Sequence, residues 1–253
     1  MYRSAVALLL AFFLMLIVIV LASESLLVIQ RIAHVSAVQG QVEYREAKAE
    51  QWLRLAEDTL VKAGTQIRTG PKATATLTWA DGTKVKIGPS TLLSVEKCFT
   101  KSGTDQEVSL FRLQRGRVWT RIAKHLGEGA QFEVATPVAV AGVRGTIFSV
   151  EARGDKADAQ SIVSVYEGRV ELISGKASKV VTGGRVAVVS APGTVHLRAQ
   201  LPQEAREWQA SADLLLPLLE IASPRHLEEV NSDSLVVTGR AEPGARVSVN
   251  DVT

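Results

Sequence analysis

The stretch Gly142-Val-Arg-Gly-Thr-Ile-Phe148 has the residue types that cradle phosphates: two glycines, a cation and a hydroxyl. Its spacing does not carry that chemistry through. A phosphate loop needs Gly-x4-Gly-Lys-Ser/Thr ahead of a helix N-terminus, and here no lysine follows and Thr146–Val150 reads as a strand. The economical reading is a close backbone approach at Gly142 and Gly145, with Arg144 in a structural ion pair. Cys98 would be a nucleophile only beside a base. The nearest histidine in sequence is His125, and a small buried thiol is the expected state. No Gly-x-Ser-x-Gly elbow and no His-Glu-x-x-His occurs. The Asp155/Asp158 pair lies in a charged loop and reads as solvated surface. Trp52, Trp79 and Trp119 could line a sugar-binding groove, but Trp79 and Trp119 sit in alternating runs and are expected in the core. The sequence therefore points to no catalytic residue, no metal site and no cofactor, and the chain is expected not to be an enzyme.

Composition fits a globular chain, long enough for one sizeable domain or two smaller ones. Of 253 residues, 46% are hydrophobic and only 5% aromatic, and 29 Lys+Arg against 26 Asp+Glu give a net charge of +3. Basic residues are scattered along the chain among acidic ones, so no nucleic-acid partner is expected. One cysteine excludes a disulfide framework.

The elements that must position any site are mostly strands. Gly40, Gly82, Gly116, Gly168 and Gly184 each open an apolar/polar alternation, and Gly-Arg-Val recurs at 116, 168 and 184. Alternation puts Val and Ile on one face and charge on the other. Thr74–Trp79, Asp81-Gly82 and Thr83–Ile87 form the strongest hairpin signal. The glycine spacings are irregular, which argues against a strict repeat and for short strands stacked as an irregular β-helix or β-sandwich. Antiparallel, half-buried sheet is the expected form, with one possible short helical turn at 122–126. Residues 201–220 read as a helical linker, with Pro202 at its start and Pro217 ending or kinking it. Residues 221–253 read as the start of another β domain, with strands expected at 234–239 and 246–250, so the chain is expected to be a piece of a longer protein. Residues 235–250 resemble the opening of a bacterial immunoglobulin-like domain, which implies an incomplete Ig-like β unit over 221–253.

Ahead of these lies Ala5–Ala22, eighteen residues without a polar group. As a helix it would measure about 27 Å against a bilayer core of about 30 Å. With Arg3 before it, the N-terminus is expected to stay cytoplasmic and the body to be exported. Two forms are open: an uncleaved anchor over residues 1–24, or a signal peptide cut after Val20-Leu21-Ala22.

An ordered series of motifs resembles the FecR domain, the periplasmic module of iron-dicitrate sensor regulators. It runs from Gly40-x-Val42 and Trp52 through Gly64-Thr-Gln-Ile-Arg68-Thr69-Gly70, Asp81-Gly82-Thr83, Gly116-x-Val118 and Thr136-Pro137. It closes with Ala141-Gly142-Val-Arg144-Gly145-Thr146-Ile-Phe148, Glu167-Gly168-x-Val170 and Gly183-Gly184. The resemblance implies a mainly β FecR-like domain over residues 35–196, with the motif residues acting structurally. It implies an exported, membrane-tethered module that binds or scaffolds an envelope protein or glycan, or senses a signal. Relay to a sigma factor through a separate cytoplasmic partner is the alternative, because only four residues precede the apolar run here. A glycan-acting enzyme is a further alternative, for which no acid and base can be named.

Overall fold

In the computed structural model, residues 28–102, 106–123, 127, 129–143, 145–154, 158–191, 193–215, 219–223 and 238–241 are described. The expected membrane segment 5–22 lies outside them, as do Arg144, His125, Asp155, Pro217 and the expected strand at 246–250.

The strands run in chain order as β1 (Val28–Gln30), β2 (Ala33–Gln39), β3 (Val42–Arg45), β4 (Leu53–Arg54), β5 (Leu60–Val61), β6 (Gln66–Thr69) and β7 (Thr74–Thr78). Then come β8 (Lys84–Ile87), β9 (Leu92–Lys101), β10 (Glu107–Arg121), β11 (Gln131–Ala135), β12 (Val140–Val143) and β13 (Ile147–Arg153). The domain ends with β14 (Gln160–Glu167), β15 (Arg169–Ser174), β16 (Ala177–Thr182), β17 (Arg185–Ala191) and β18 (Thr194–Ala199). Helix α1 (Pro202–Leu215) follows, and β19 (Leu219–Ser223) and β20 (Thr238–Ala241) pair as a separate two-stranded sheet.

The expectation of a mainly β fold holds. Two layers enclose one core. The first runs β4–β3–β6–β9–β10–β11–β12–β15–β16, with β1 on the far part of β9. The second runs β5–β2–β7–β8–β10–β13–β14–β17–β18. Every pairing is antiparallel except β10 with β11. That pattern selects the sandwich reading over the β-helix, whose coils would pair in parallel. Strand β10 belongs to both layers, and the pairings close into a barrel.

Alternation explains the layers. Val35, Leu77, Ile87 and Val150 of the second layer face Val42, Ile67, Leu93 and Phe132 of the first, in one buried cluster. A string of aromatic rings crosses between them: Trp79 to Phe111 (5.8 Å), Phe111 to Phe132 (5.2 Å) and Phe132 to Phe148 (6.3 Å), offset or edge-on. Trp79 is thus in the core as expected.

Strand β10 changes layers at Gly116. Residues up to Arg115 pair with β9, whereas Gly116 to Arg121 pair with β13, and Val118 onward with β8. Gly116 has φ +87°, and an added Cβ would lie 2.2 Å from Thr91 Oγ1 and 2.5 Å from Thr91 Cα. Thr91 is fully buried, and its Oγ1 accepts the Arg117 N–H at 3.1 Å. The strand can therefore bend here only with glycine against Thr91.

The linker is partly corrected. Helix α1 stops at Leu215, and Leu219 and Glu220, expected to be helical, belong to β19, where β20 takes their backbone hydrogen bonds. The helix also docks on the domain: Trp208 is buried against Tyr166, with ring centroids 5.4 Å apart.

Gly116→Ala is expected to destabilise the domain by about 2–4 kcal/mol, combining the cost of positive φ with overpacking against Thr91. Gly184→Ala, at φ +75° with open space around it, should cost only about 1 kcal/mol. Denaturant midpoints of the two variants check the difference.

Candidate binding surface

The motif residues form turns and tight backbone approaches. Gly64 (φ +88°) donates its N–H to Val95 O at 2.7 Å, and Gly70 donates to Gln41 O at 2.9 Å. Thr69 Oγ1 donates to Gly88 O (2.6 Å) and accepts the Thr91 N–H (2.9 Å), so Thr69 is wholly used in holding the turn before β9. Asp81 Oδ1 accepts the Thr83 N–H at 2.9 Å, closing the expected hairpin, with Gly82 at φ +79°. Pro137 sits in the turn closed by Thr136 N–H to Ala139 O. At Gly168 (φ +84°) a Cβ would lie 2.8 Å from Gly145 O, and Thr146 Oγ1 donates to Arg169 O at 2.9 Å. Gly145, Thr146, Glu167 and Gly168 thus meet at one crossing of backbones. Gly142 is different. Its φ is ordinary, and an added Cβ would find its nearest neighbour at 3.8 Å. It stands between Glu133 and Glu171 in register and floors an open groove of about 270 Å³ on the first layer.

Cys98 is buried in the core. Trp79 Nε1–H donates to its Sγ at 3.2 Å. Above it, Arg31 reaches Asp81 at 2.5 Å and Ser109 Oγ at 3.0 Å. Burial pushes the Cys98 thiol above its ordinary value, against the smaller pull of the Trp79 hydrogen bond and the Arg31 charge. Among the described residues no group of three or more His, Cys, Asp or Glu is placed to hold a metal.

The outer faces of the two layers differ in cover. On the second layer, Trp119 lies over Gly88, where a Cβ would come within 2.8 Å of the indole ring. Lys86 and Arg117 each stand 5.5 Å from that ring. The alternating run had placed Trp119 in the core, yet it points outward; alternation gives two faces and does not say which is buried. Burial lowers the Lys86 pKa. Part of this face is closed by α1. Arg117 bridges Glu151 of β13 and Glu207 of the helix, the latter at 2.8 Å, and Arg198 makes a two-pronged contact with Glu204. Hydrogen bonding to Arg198 holds the Glu204 carboxyl below its ordinary value.

The first layer's outer face is open around β4, β3, β6, β9 and β10. Register places Arg54, Glu43, Arg68, Leu92 and Arg115 in one row, and Arg45, Gln66, Ser94 and Arg112 in the next. Arg68 donates to Glu43 at 2.7 Å, Arg45 to Gln66 at 2.6 Å, and Arg112 to Glu96 at 3.0 Å. The Arg45 and Arg68 guanidinium groups both lie over the Trp52 ring, at 4.9 and 4.3 Å. Arg54 and Arg115 are exposed. Charges scattered over seventy positions of sequence are gathered by the fold on one surface, five arginines against Glu43 and Glu96. Of the motif residues Trp52 and Arg68 take part. Four neighbouring strand spacings make this surface about 19 Å wide.

The family model described as FecR protein matches residues 65–171. That segment belongs to the FecR family. It begins at β6 and ends in β15, so it holds the layer-crossing strand, while β1–β5 and β16–β18 extend the same two layers beyond it. Two crystal structures from Parabacteroides distasonis, each described as a candidate anti-sigma factor, are similar to the chain. The first, at 1.65 Å, is 21% identical with a TM-score of 0.46, covering 57% of this chain and 64% of that one. The chain thus spans less than two thirds of its length. The second, at 2.50 Å, is 18% identical with a TM-score of 0.47, covering 70% and 84%. No curated protein matches the chain.

Two outcomes are expected for the FecR domain. Cys98 should resist an aromatic disulfide reagent in the native protein and react only on unfolding; prompt native labelling would contradict the buried, raised-pKa thiol. Because folding lowers the Glu204 pKa, the stabilisation of its contact with Arg198 is present above the ordinary carboxylate value of 4.5 and is lost as pH falls through the folded-state value. Trp208 emission should therefore shift to longer wavelength on acidification in the wild type, and this pH-dependent step should be absent in Glu204→Gln.

Proposed function

We propose that this chain is an exported, membrane-tethered FecR-type module that recognises an envelope component without transforming it, in a binding, scaffolding or sensory role. One observation carries the reading: a two-layered sheet holds an open, arginine-bearing face with Trp52 beneath its guanidinium groups. Arginine and tryptophan are the residue types that dominate binding energy at protein interfaces. An open face offers contact area but does not enclose a substrate, which favours recognition over catalysis. The FecR match over residues 65–171 supports a regulatory or sensory role, and the apolar run 5–22 supports the tether. Among the described residues no helix is long and apolar enough to cross a membrane.

Two measurements test the proposal. The chain should stay in the membrane pellet after alkaline carbonate washing, and a protease added from the outer side should reach its body. A photo-crosslinker in place of Leu53, which is 52% exposed beside Trp52, should recover a defined envelope partner. A chain found in the cytosolic fraction, or one that crosslinks nothing from any exposed position, would remove this function.

A further inference from the structure

The open face carries more cations than its own carboxylates can satisfy. Glu43 engages Arg68, and Glu96 engages Arg112. Nearby Glu46 is held by Lys62 at 3.2 Å. Among the described residues Arg45 meets the neutral Gln66 amide and the Trp52 ring but no carboxylate, and Arg54 and Arg115 lie exposed without an ion pair or side-chain hydrogen bond. Between Gln66 and Arg112 in the second row stands Ser94, 6% exposed, whose Oγ has no hydrogen-bond partner. A buried hydroxyl left unpaired costs free energy, and a ligand oxygen entering that row would relieve it.

We infer that this face binds an acidic polypeptide segment in extended form, and this rests on the reading of the chain as a binding module. The two carboxylates already on the face show the chemistry it accepts, since each is taken by an arginine through hydrogen-bonded contact. Along β3 and β6 the polar positions 43 and 45, and 66 and 68, repeat at about 6.8 Å, the distance between alternate side chains of an extended peptide. An acidic side chain at every second residue therefore meets the arginine rows in step. Arginine, with its planar fork, suits such paired contacts better than lysine. Trp52 decides against stacking ligands. Its ring is already covered by Arg45 and Arg68, so it holds guanidinium groups flat and leaves no free aromatic platform of the kind single-stranded nucleic acids and sugars use.

The test uses the full chain in detergent micelles and a dye-labelled peptide of alternating Glu and Ser, read by fluorescence anisotropy, with a Gln/Ser peptide for comparison. The acidic peptide should bind saturably, and more weakly as salt rises. Arg54→Glu with Arg115→Glu should weaken it by at least about ten-fold. Lys179→Glu with Arg185→Glu, an equal charge change at exposed positions of β16 and β17, should alter it less than about two-fold. If the reversal at 54 and 115 unfolds the domain, Arg54→Gln with Arg115→Gln serves instead, with a smaller loss in the same direction. Equal binding of the Gln/Ser peptide, equal loss in both reversals, or tighter binding of heparin or oligothymidylate through Arg54 and Arg115 would overturn the assignment. Crosslinked envelope partners that contact only other faces would remove this inference and leave the binding module standing, whereas no partner at all removes both.

Discussion

One strand serving two sheets is the constraint on which the rest of this domain depends. Strand β10 leaves the first layer at Arg115 and enters the second at Gly116, and the turn is possible because nothing but hydrogen faces Thr91 there. Register on both sides is fixed from this point. Toward the first layer it aligns Arg112 with Ser94 and Arg115 with Leu92, which sets the rows of the open face. Toward the second it aligns Trp119 with Lys86 and Ser149, the ground on which α1 docks. A slip by one residue would exchange the buried and exposed faces of both layers together.

Cover then separates the two outer surfaces. The helix closes part of one with an aromatic contact and two charged ones. The other keeps its arginines in the open, steadied by an indole and by neighbours on adjacent strands. The docked helix and the open arginines thus lie on opposite sides of a single core. The core between them holds the string of four aromatic rings and the buried thiol.

Much of the fold was legible in the residues. The five glycines that open alternating runs all have positive φ, the Asp81-Gly82 hairpin formed, and the close approach at the Gly145 motif is met by Gly168. These signals are local, and local rules read them. The arginine-bearing face was not legible, because Arg45, Arg54, Arg68, Arg112 and Arg115 become neighbours only through strand pairing across long sequence distances. Even charge along the chain hid uneven charge in space. Trp52, Trp79 and Trp119 show the same limit. Each sits in or beside an alternating stretch, yet one is core, one lies under a helix-capped face and one supports guanidinium groups. Pairing also overrode the linker's helical expectation, since Leu219 and Glu220 found a partner strand.

The docked helix has a mechanical consequence. Trp208 against Tyr166 and Glu207 on Arg117 fasten the chain to the sandwich just before it continues toward β19. A pull from that end would load those two contacts before it reached β18. Arg117 adjoins the glycine where β10 bends, so tension would arrive at the hinge shared by both sheets.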